Sequence, residues 1–572
     1  VKIALAQINP TVGDFAGNTR RILETAERAA CIDAAARPDL IVFPELAVCG
    51  YPAADLLEKR TFVARAVAAM DEICRWTGAQ PGRPSVLCGG VMPVERRAEG
   101  KHVRDVAVLM VAGEVRCVQQ KMLLPFYDVF DEQRYFEPAA AQHLTSIPTA
   151  AGEAPLAITV CEDAWNDKGF WPQRNYPVDP IERLMSGWND LPATLRSQPR
   201  IIVNCSASPF WKGKRAVRRQ MLGALAQRHG AFVALANQVG GNDSLIFDGS
   251  SLAVGPDGCL LAQARSFAED LVLFDTGVCS GAPLSQVEED PADVAATWDA
   301  LLLGTRDYLR KCGFSKALIG LSGGIDSALV AAIAVEALGR ENVTGIGMPS
   351  AYSSAGSKDD ARDLAGRLGI RFEMLAIHDG YEAMMGTLHP LFAGTPFGLA
   401  EENLQSRLRG VLLMSLSNKF NALVLTTGNK SEMSVGYCTL YGDMVGALAV
   451  IGDVTKTRVY ALSRYANRER EVIPRATLEK APSAELRPEQ KDTDSLPPYE
   501  VLDPILEAYV ERYCSAGEIA AEQGIDLALV EQVLKLVERS EYKRQQAAPV
   551  LKVTQKSFGM GRRFPIAAKA LV

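Results

Sequence analysis

The chain has 572 residues, too many for one ordinary domain, so two or more are expected. Hydrophobic residues make up 48% and charged residues 23%, the balance of a soluble globular protein, and no apolar run reaches the roughly 18 to 20 residues that a membrane helix needs. A net charge of −7 spread along the chain argues against a nucleic-acid binder, which would show a basic stripe.

Twelve cysteines sit singly, without a C-x-x-C pair, which argues against a zinc ribbon. In a chain this long they fit reduced thiols in a cytoplasmic protein. Five scattered histidines make a histidine metal site a poor expectation, so chemistry should fall to Cys, Lys and carboxylates. The opening "VKIALAQINP" reads as a strand and not as an export signal.

From the start, a strand is expected at Lys2–Ala6, an amphipathic segment from Asn18, and a largely apolar run at Asp39–Leu46. Further short apolar runs read as buried strands at Ser85–Cys88, Asp105–Val111, Ala157–Val160, Arg200–Asn204, Ala231–Ala236 and Ser251–Val254. A Gly/Pro/acid-rich break, "GVCSGAPLSQVEEDP", then suggests a linker at 277–293 between a first domain, 1–276, and a second, 294–572. Strands are expected next at Ala317–Leu321, Val343–Met348, Arg371–Ile377 and Ala422–Thr426, alternating with helices at Asp326–Leu338, Ser357–Leu368 and Ala400–Lys419. That order predicts a doubly wound parallel sheet whose ligands bind at the strands' carboxyl ends. The polar, proline-rich stretch Glu479–Glu500 reads either as a surface loop or as a lid over an active site.

Three residues of the first half stand at or after apolar runs. Glu45 closes "LIVFPEL", Lys121 opens "KMLLPFYDVFDEQRYF", and Cys161 follows "APLAITV". Cys205 in "IIVNCSAS" has a similar setting, and local sequence does not choose between the two cysteines. The ordered set "FPEL…GY", "K…LP…DEQRYF" and "VCEDAW" resembles the nitrilase, or carbon–nitrogen hydrolase, superfamily. That resemblance implies an αββα sandwich and a catalytic Glu45, Lys121 and Cys161. A thiol of ordinary pKa is mostly protonated at neutral pH and needs a base or cation to become a nucleophile. Glu45 would take its proton, and Lys121 would balance the thiolate and the oxyanion. The acids Glu162 and Asp163 would oppose the thiolate if they pointed at the sulfur. Glu132 would support Lys121, and in glutaminase members Tyr127, Ser208 and Lys214 would grip glutamine.

In the second half, "ALIGLSGGIDSALVAAIAVEAL" places Ser322-Gly323-Gly324 between a strand and a helix. Glycines admit an anion to backbone N–H groups, and the helix start adds a positive dipole end. Asp326 suits phosphate only through a cation, so the loop predicts a magnesium-bound polyphosphate. It lacks the Walker lysine, which favours a loop that holds a leaving pyrophosphate over γ-phosphoryl transfer.

The loop resembles that of the Rossmann-like ATP pyrophosphatases. With "GIGMPSAYSS", "TTGNKSE", "YCTLYGD", "GDVTKTRVY" and "EKAPSAEL", the half resembles the NAD synthetases. By that resemblance ATP lies on Gly320, Leu321, Ser322, Gly323, Gly324, Ile325, Asp326, Ser327 and Thr427. Asp326 and Glu432 would hold Mg2+. Deamido-NAD would meet Asn403, Glu432, Tyr437, Cys438, Thr439, Leu440 and Lys543, and Lys456 would contact deamido-NAD or the phosphates.

Together the halves resemble the glutamine-dependent NAD synthetases. The resemblance implies glutamine, ATP and deamido-NAD as substrates and a homo-oligomer, from dimer to octamer. Ammonia is mostly protonated in neutral water and then not nucleophilic, so a sealed passage between the sites is expected. Two rivals remain. A GMP-synthetase-like ligase would need a G-x-C-x-G elbow in its glutaminase half; the pattern occurs at Gly277–Gly281, but in the Gly/Pro/acid-rich break and not between a strand and a helix. An ammonia-dependent synthetase would keep the first half only as an assembly scaffold. The tail from Lys543, rich in Lys and Arg, reads as a solvated terminus or as a closing segment with phosphate contacts.

Overall fold

A computed structural model describes residues 1–94, 99–277, 293–487 and 490–569. The expected linker at 277–293 lies, apart from its two end residues, outside the described residues. The chain divides into one compact unit of Val1–Asn242 and Ile246–Pro291 and another of Asp243–Leu245 and Ala292–Val572.

The first unit holds two six-stranded sheets. One runs in the order Asp270–Asp275, Lys2–Gln7, Leu40–Val42, Ser85–Pro93, Val103–Val111, Glu114–Gln120. The other runs Leu260–Gln263, Leu252–Val254, Phe232–Asn237, Ile201–Ser206, Gly152–Val160, Thr145–Thr149. Period-two alternation explains why the sheets stack. In Ile201–Ser206, residues Ile201, Val203 and Cys205 join Ile3, Leu5, Val42, Leu87 and Leu109 of the facing sheet in one core. Ile202 points the other way, onto Leu222 and Leu225 of helix Lys214–His229. Each such side chain, fully buried, contributes roughly 1.5–3 kcal/mol. With helices Phe15–Ala30 and Arg60–Gly78 beside the first sheet, the layers are αββα.

The second unit is built on a five-stranded parallel sheet, ordered Arg371–Met374, Val343–Gly347, Ala317–Gly320, Leu423–Thr426, Leu448–Ala449. Strand Ala317–Gly320 pairs with Val343–Gly347 on one side and Leu423–Thr426 on the other. The loop after it therefore leaves the sheet where the winding reverses, the place at which such sheets bind ligands. The helix that follows, Ile325–Leu338, is rich in Ala and aliphatic residues, is buried from Ser327 to Ala334 and stops at Gly339 (φ +87°). A second core joins helices Tyr499–Arg512, Ala516–Gln523 and Leu527–Arg539.

Within the apolar run Asp39–Leu46 strand pairing covers Leu40–Val42, and Glu45 lies in the turn beyond. One reading of the tail is corrected. The basic tail is not a solvated terminus. Lys552, Arg544 and Arg562 are buried, because each finds an acceptor or a ring: Lys552 donates to the carbonyls of Thr554 and Gln555, and Arg544 and Arg562 share Glu541 and flank Phe558.

Candidate active site

In the first unit Lys121 is completely buried among carboxylates. Its Nζ lies 2.5 Å from Glu45 Oε1, 2.6 Å from Glu132 Oε2 and 3.7 Å from Asp105 Oδ2. Burial alone would lower the Lys121 pKa, but Glu132 and Glu45 outweigh it and hold the side chain well above the usual ammonium range. Oxygens of Glu45, Asp105 and Glu132 lie within 4.8 Å of one another, a spacing that would suit a metal ion. The Lys121 ammonium already supplies the cation.

Residues Ser206 and Ala207 join this pair to the thiol. The Ser206 hydroxyl donates to Cys161 Sγ at 3.3 Å, and the next residue's N–H donates to Glu45 Oε2 at 2.9 Å. Cys161 itself sits at the end of Gly152–Val160 with φ +40°, a conformation that a residue with a Cβ adopts only when its surroundings impose it. Asn204 helps to impose it, donating to the Cys161 carbonyl and to Thr159 Oγ1. Burial, then Glu45, push the Cys161 thiol up, while Lys121 and the Ser206 bond pull it down. The resting thiol is therefore protonated, beside a carboxylate able to take the proton. Cys205 lies inside its strand, and Lys121 is not among the groups acting on it.

The neighbouring acids turn away from the sulfur. Asp163 accepts from the N–H groups of Val160, Met122 and Leu123 and from Gln142, which ties the Lys121 strand end to the Cys161 turn. Glu162 accepts from the Tyr127 hydroxyl at 2.9 Å, and burial raises its carboxyl to about 7. Ser208 is buried and its N–H donates to Asn237 Oδ1. Lys214 donates to the Pro209 carbonyl and lies 5.1 Å from the Trp165 ring centre.

In the second unit a cavity of about 290 Å³ opens over the carboxyl ends of the parallel strands. Gly320, Leu321, Ser322, Gly324, Ile325, Asp326, Ser327 and Thr427 line it, as do Glu432, Tyr437, Cys438 and Lys456. Gly323 stands behind them with φ +79°, where a Cβ would come within 2.3 Å of the Ser357 carbonyl oxygen; no other residue fits. The Ser322 and Ser327 hydroxyls lie 3.2 Å apart and brace the loop.

Lys456 bridges Asp326 Oδ2 at 2.5 Å and Glu432 Oε1 at 3.3 Å. Asn429 caps helix Lys430–Val435, holding the Glu432 N–H with its Oδ1 and Asp326 Oδ1 with its Nδ2. Burial raises Glu432 to about 8, against the pull of Lys456, with Asp326 and Asp492 adding to the rise. Asp326, Glu432 and Asp492 thus all act on one ammonium.

Asn403, Thr439, Leu440 and Lys543 stand outside that lining in a linked group. Thr439 donates to Asn403 Oδ1, Arg407 donates to the Leu440 carbonyl, and Lys543 Nζ donates to the carbonyls of Gly436 and Cys438. The stretch Glu479–Glu500 is more than a surface loop: Lys480 to Leu486 and Asp492 line the cavity. Sequence reasoning missed Ser206, Ala207, Asn429 and Asp492. Asn429 carries a local signal, the N-cap pattern of Asn429 three residues before Glu432; Ser206 and Ala207 do not, because they act through Cys161 and Glu45, far off in the chain.

A Glu–Lys–Cys centre on an αββα sandwich, joined to a glycine loop at the switch point of a parallel sheet, defines a carbon–nitrogen hydrolase coupled to a nucleotide-dependent synthase. The comparisons agree. Carbon-nitrogen hydrolase matches residues 2–171 and 193–277, and NAD synthase matches 297–547. The chain is 48% identical over 571 residues to the glutamine-dependent NAD(+) synthetase of Synechocystis sp., covering 99% of this chain and 98% of that one. It is 42% identical to that of Acinetobacter baylyi, with coverage of 99% and 98%. The solved glutamine-dependent NAD+ synthetase of Acinetobacter baumannii, in complex with ADP, is 38% identical with a TM-score of 0.73, covering 99% and 98%. The chain belongs to the glutamine-dependent NAD(+) synthetase family.

Proposed function

We propose that the chain makes NAD from deamido-NAD, with ATP as energy source and glutamine as nitrogen donor. The observation that carries this is the presence, in one chain, of the buried Glu45–Lys121 pair beside Cys161 and of the glycine cradle opening on a cavity lined by Asp326, Glu432 and Lys456.

In the first unit Glu45 takes the Cys161 proton and the sulfur attacks the glutamine carboxamide carbon. Lys121 stabilises the resulting oxyanion. The C–N bond breaks, ammonia leaves with the proton returned from Glu45, and water then splits the thioester to glutamate and free thiol. Tyr127, Ser208 and Lys214 hold the glutamine. In the second unit Gly320–Ser327 and Thr427 hold ATP, while Asn403, Tyr437–Leu440 and Lys543 hold deamido-NAD. A carboxylate oxygen of deamido-NAD attacks the α-phosphorus, pyrophosphate leaves, and ammonia displaces AMP from the acyl adenylate.

Mg2+ fits the carboxylates of Asp326 and Glu432, and when bound it neutralises phosphate charge. A homo-oligomer fits the apolar side chains of Leu391, Phe397, Leu399, Val411 and Phe420, each more than half exposed around helices His378–Phe392 and Leu399–Phe420. A cytoplasmic location fits the free thiols of the described cysteines.

The test is turnover with defined acceptors. Deamido-NAD and glutamine should give NAD, glutamate, AMP and pyrophosphate in equal amounts. ADP as product, or an equal rate with another acid as acceptor, contradicts the proposal.

A further inference from the structure

Asp105 has no role in the chemistry above, yet it lies fully buried beside it. It sits on strand Val103–Val111, and its carbonyl accepts the Lys121 N–H at 3.0 Å. Neither carboxyl oxygen accepts a hydrogen bond from any N–H or from a hydroxyl. The nearest cation, Lys121 Nζ, is 3.7 Å away and is engaged more closely by Glu45 and Glu132. What Asp105 does face is the Glu45 carboxyl: oxygens of the two lie within 4.8 Å of each other.

Two carboxylates facing each other are two facing acceptors, and buried like charges do not stay together without a proton between them. Glu45 already has Lys121 and the Ala207 N–H, and Glu132 has Lys121 and the Tyr51 hydroxyl. Asp105 alone lacks a donor. The other titratable groups that feel it are the thiols of Cys49 and Cys205, both buried and neither a cation.

We propose that Asp105 carries a proton in the working enzyme and donates it to Glu45, as a positioning residue that orients this base and spares the cluster a third buried negative charge. With Asp105 neutral, Glu45, Glu132 and Lys121 sum to −1. Transfer of the Cys161 proton to Glu45 leaves that sum, thiolate included, unchanged. With Asp105 ionised the thiolate would form in a cluster already at −2. Burial, reinforced by Glu45 and opposed by Lys121, pushes the Asp105 carboxyl well above the usual carboxylate range, in keeping with this assignment.

The inference rests on the glutaminase reading, and absence of glutaminase activity in the unaltered chain would overturn that reading first. Asp105→Asn keeps a neutral donor at the same place, whereas Asp105→Leu removes it. We expect Asn to hold glutaminase kcat/KM within about fivefold, the size of one neutral hydrogen bond, with the acid limb of its pH profile unmoved. Leu should lose roughly 10- to 100-fold, the size of a hydrogen bond to a charged group. If Asp105 were ionised, Asn would remove a negative charge beside Glu45 and move the acid limb to lower pH. A shift beyond about half a unit, or Asn no better than Leu, overturns the proposal. Infrared difference spectra of the unaltered chain against Asp105→Asn should show the carbonyl stretch of a protonated carboxyl at neutral pH. Should Asn fail to fold, 13C-aspartate labelling of the unaltered chain gives the same readout, and absence of a protonated aspartate band overturns the proposal.

Discussion

At Cys161 the backbone carries strain of order 1–3 kcal/mol, held by the Asn204 and Ser206 bonds. The sulfur there accepts from the Ser206 hydroxyl and lies within electrostatic reach of Lys121. Lys121 in turn is, among the described residues, the single cation paired with Glu45 and Glu132, so Lys121→Met leaves buried carboxylates unpaired. It should abolish glutaminase activity and destabilise the first unit by about 3–5 kcal/mol, read as loss of its thermal transition; unchanged melting would contradict the pairing. Glu432 gives a pH prediction. The fold raises its carboxyl from 4.5 to about 8, so the fold binds this proton more tightly than the unfolded chain does. The stability it contributes is complete below pH 4.5 and is lost as pH rises through about 8. In the proposed Mg2+ site, cation binding should run the opposite way, because the carboxylate would be the ligand. Mg2+ affinity in the presence of ATP, measured by titration calorimetry, should rise with pH through about 8. Glu432→Gln should be weak and flat, and a flat profile in the unaltered chain would contradict the assignment.

Among the elements, the loop Gly320–Ser327 owes its shape to one glycine. Gly323→Ala places a methyl against the Ser357 carbonyl at a positive φ, and the loop must open or the helix Ala355–Leu368 must shift. ATP-dependent turnover should fall at least tenfold, with a stability loss of about 1–3 kcal/mol. Near-normal turnover would show that the loop is not the nucleotide's seat. The tail supplies the second case. Asp453 accepts the N–H groups of Val553 and Thr554, and the Thr554 hydroxyl lies 2.7 Å from Lys430 Nζ, itself 2.9 Å from Asp453 Oδ1. Because Lys430 opens the helix that carries Glu432, Thr554→Val should cost about 1–3 kcal/mol and lower ammonia-dependent synthesis, assayed by NAD formation. These elements also mark how far the sequence could be read. The buried strands were legible from apolar runs, and the glycine loop from its strand-before, helix-after setting. Edge strands such as Thr145–Thr149 and Asp270–Asp275 were not, since half-exposed strands mix polar and apolar residues. Nor was the choice between Cys161 and Cys205, which turns on a lysine 40 positions away in the chain from Cys161. The tail's burial was hidden too, because a run rich in Lys and Arg reads as solvated until the fold shows its acceptors: Glu541 for Arg544 and Arg562, and the carbonyls of Thr554 and Gln555 for Lys552.

For the molecule as a whole, the family and both site geometries agree on a division of labour between two compact units. Each unit keeps its own core and a buried cation among its site carboxylates: Lys121 in the first, Lys456 in the second. Damage to one centre should therefore leave the other's chemistry intact. The measurement that tests this most directly compares nitrogen donors in Cys161→Ala. NAD formation from glutamine should vanish, while formation from ammonium salts should continue at the rate of the unaltered chain. Equal loss with both donors, or full activity with glutamine, would contradict the account.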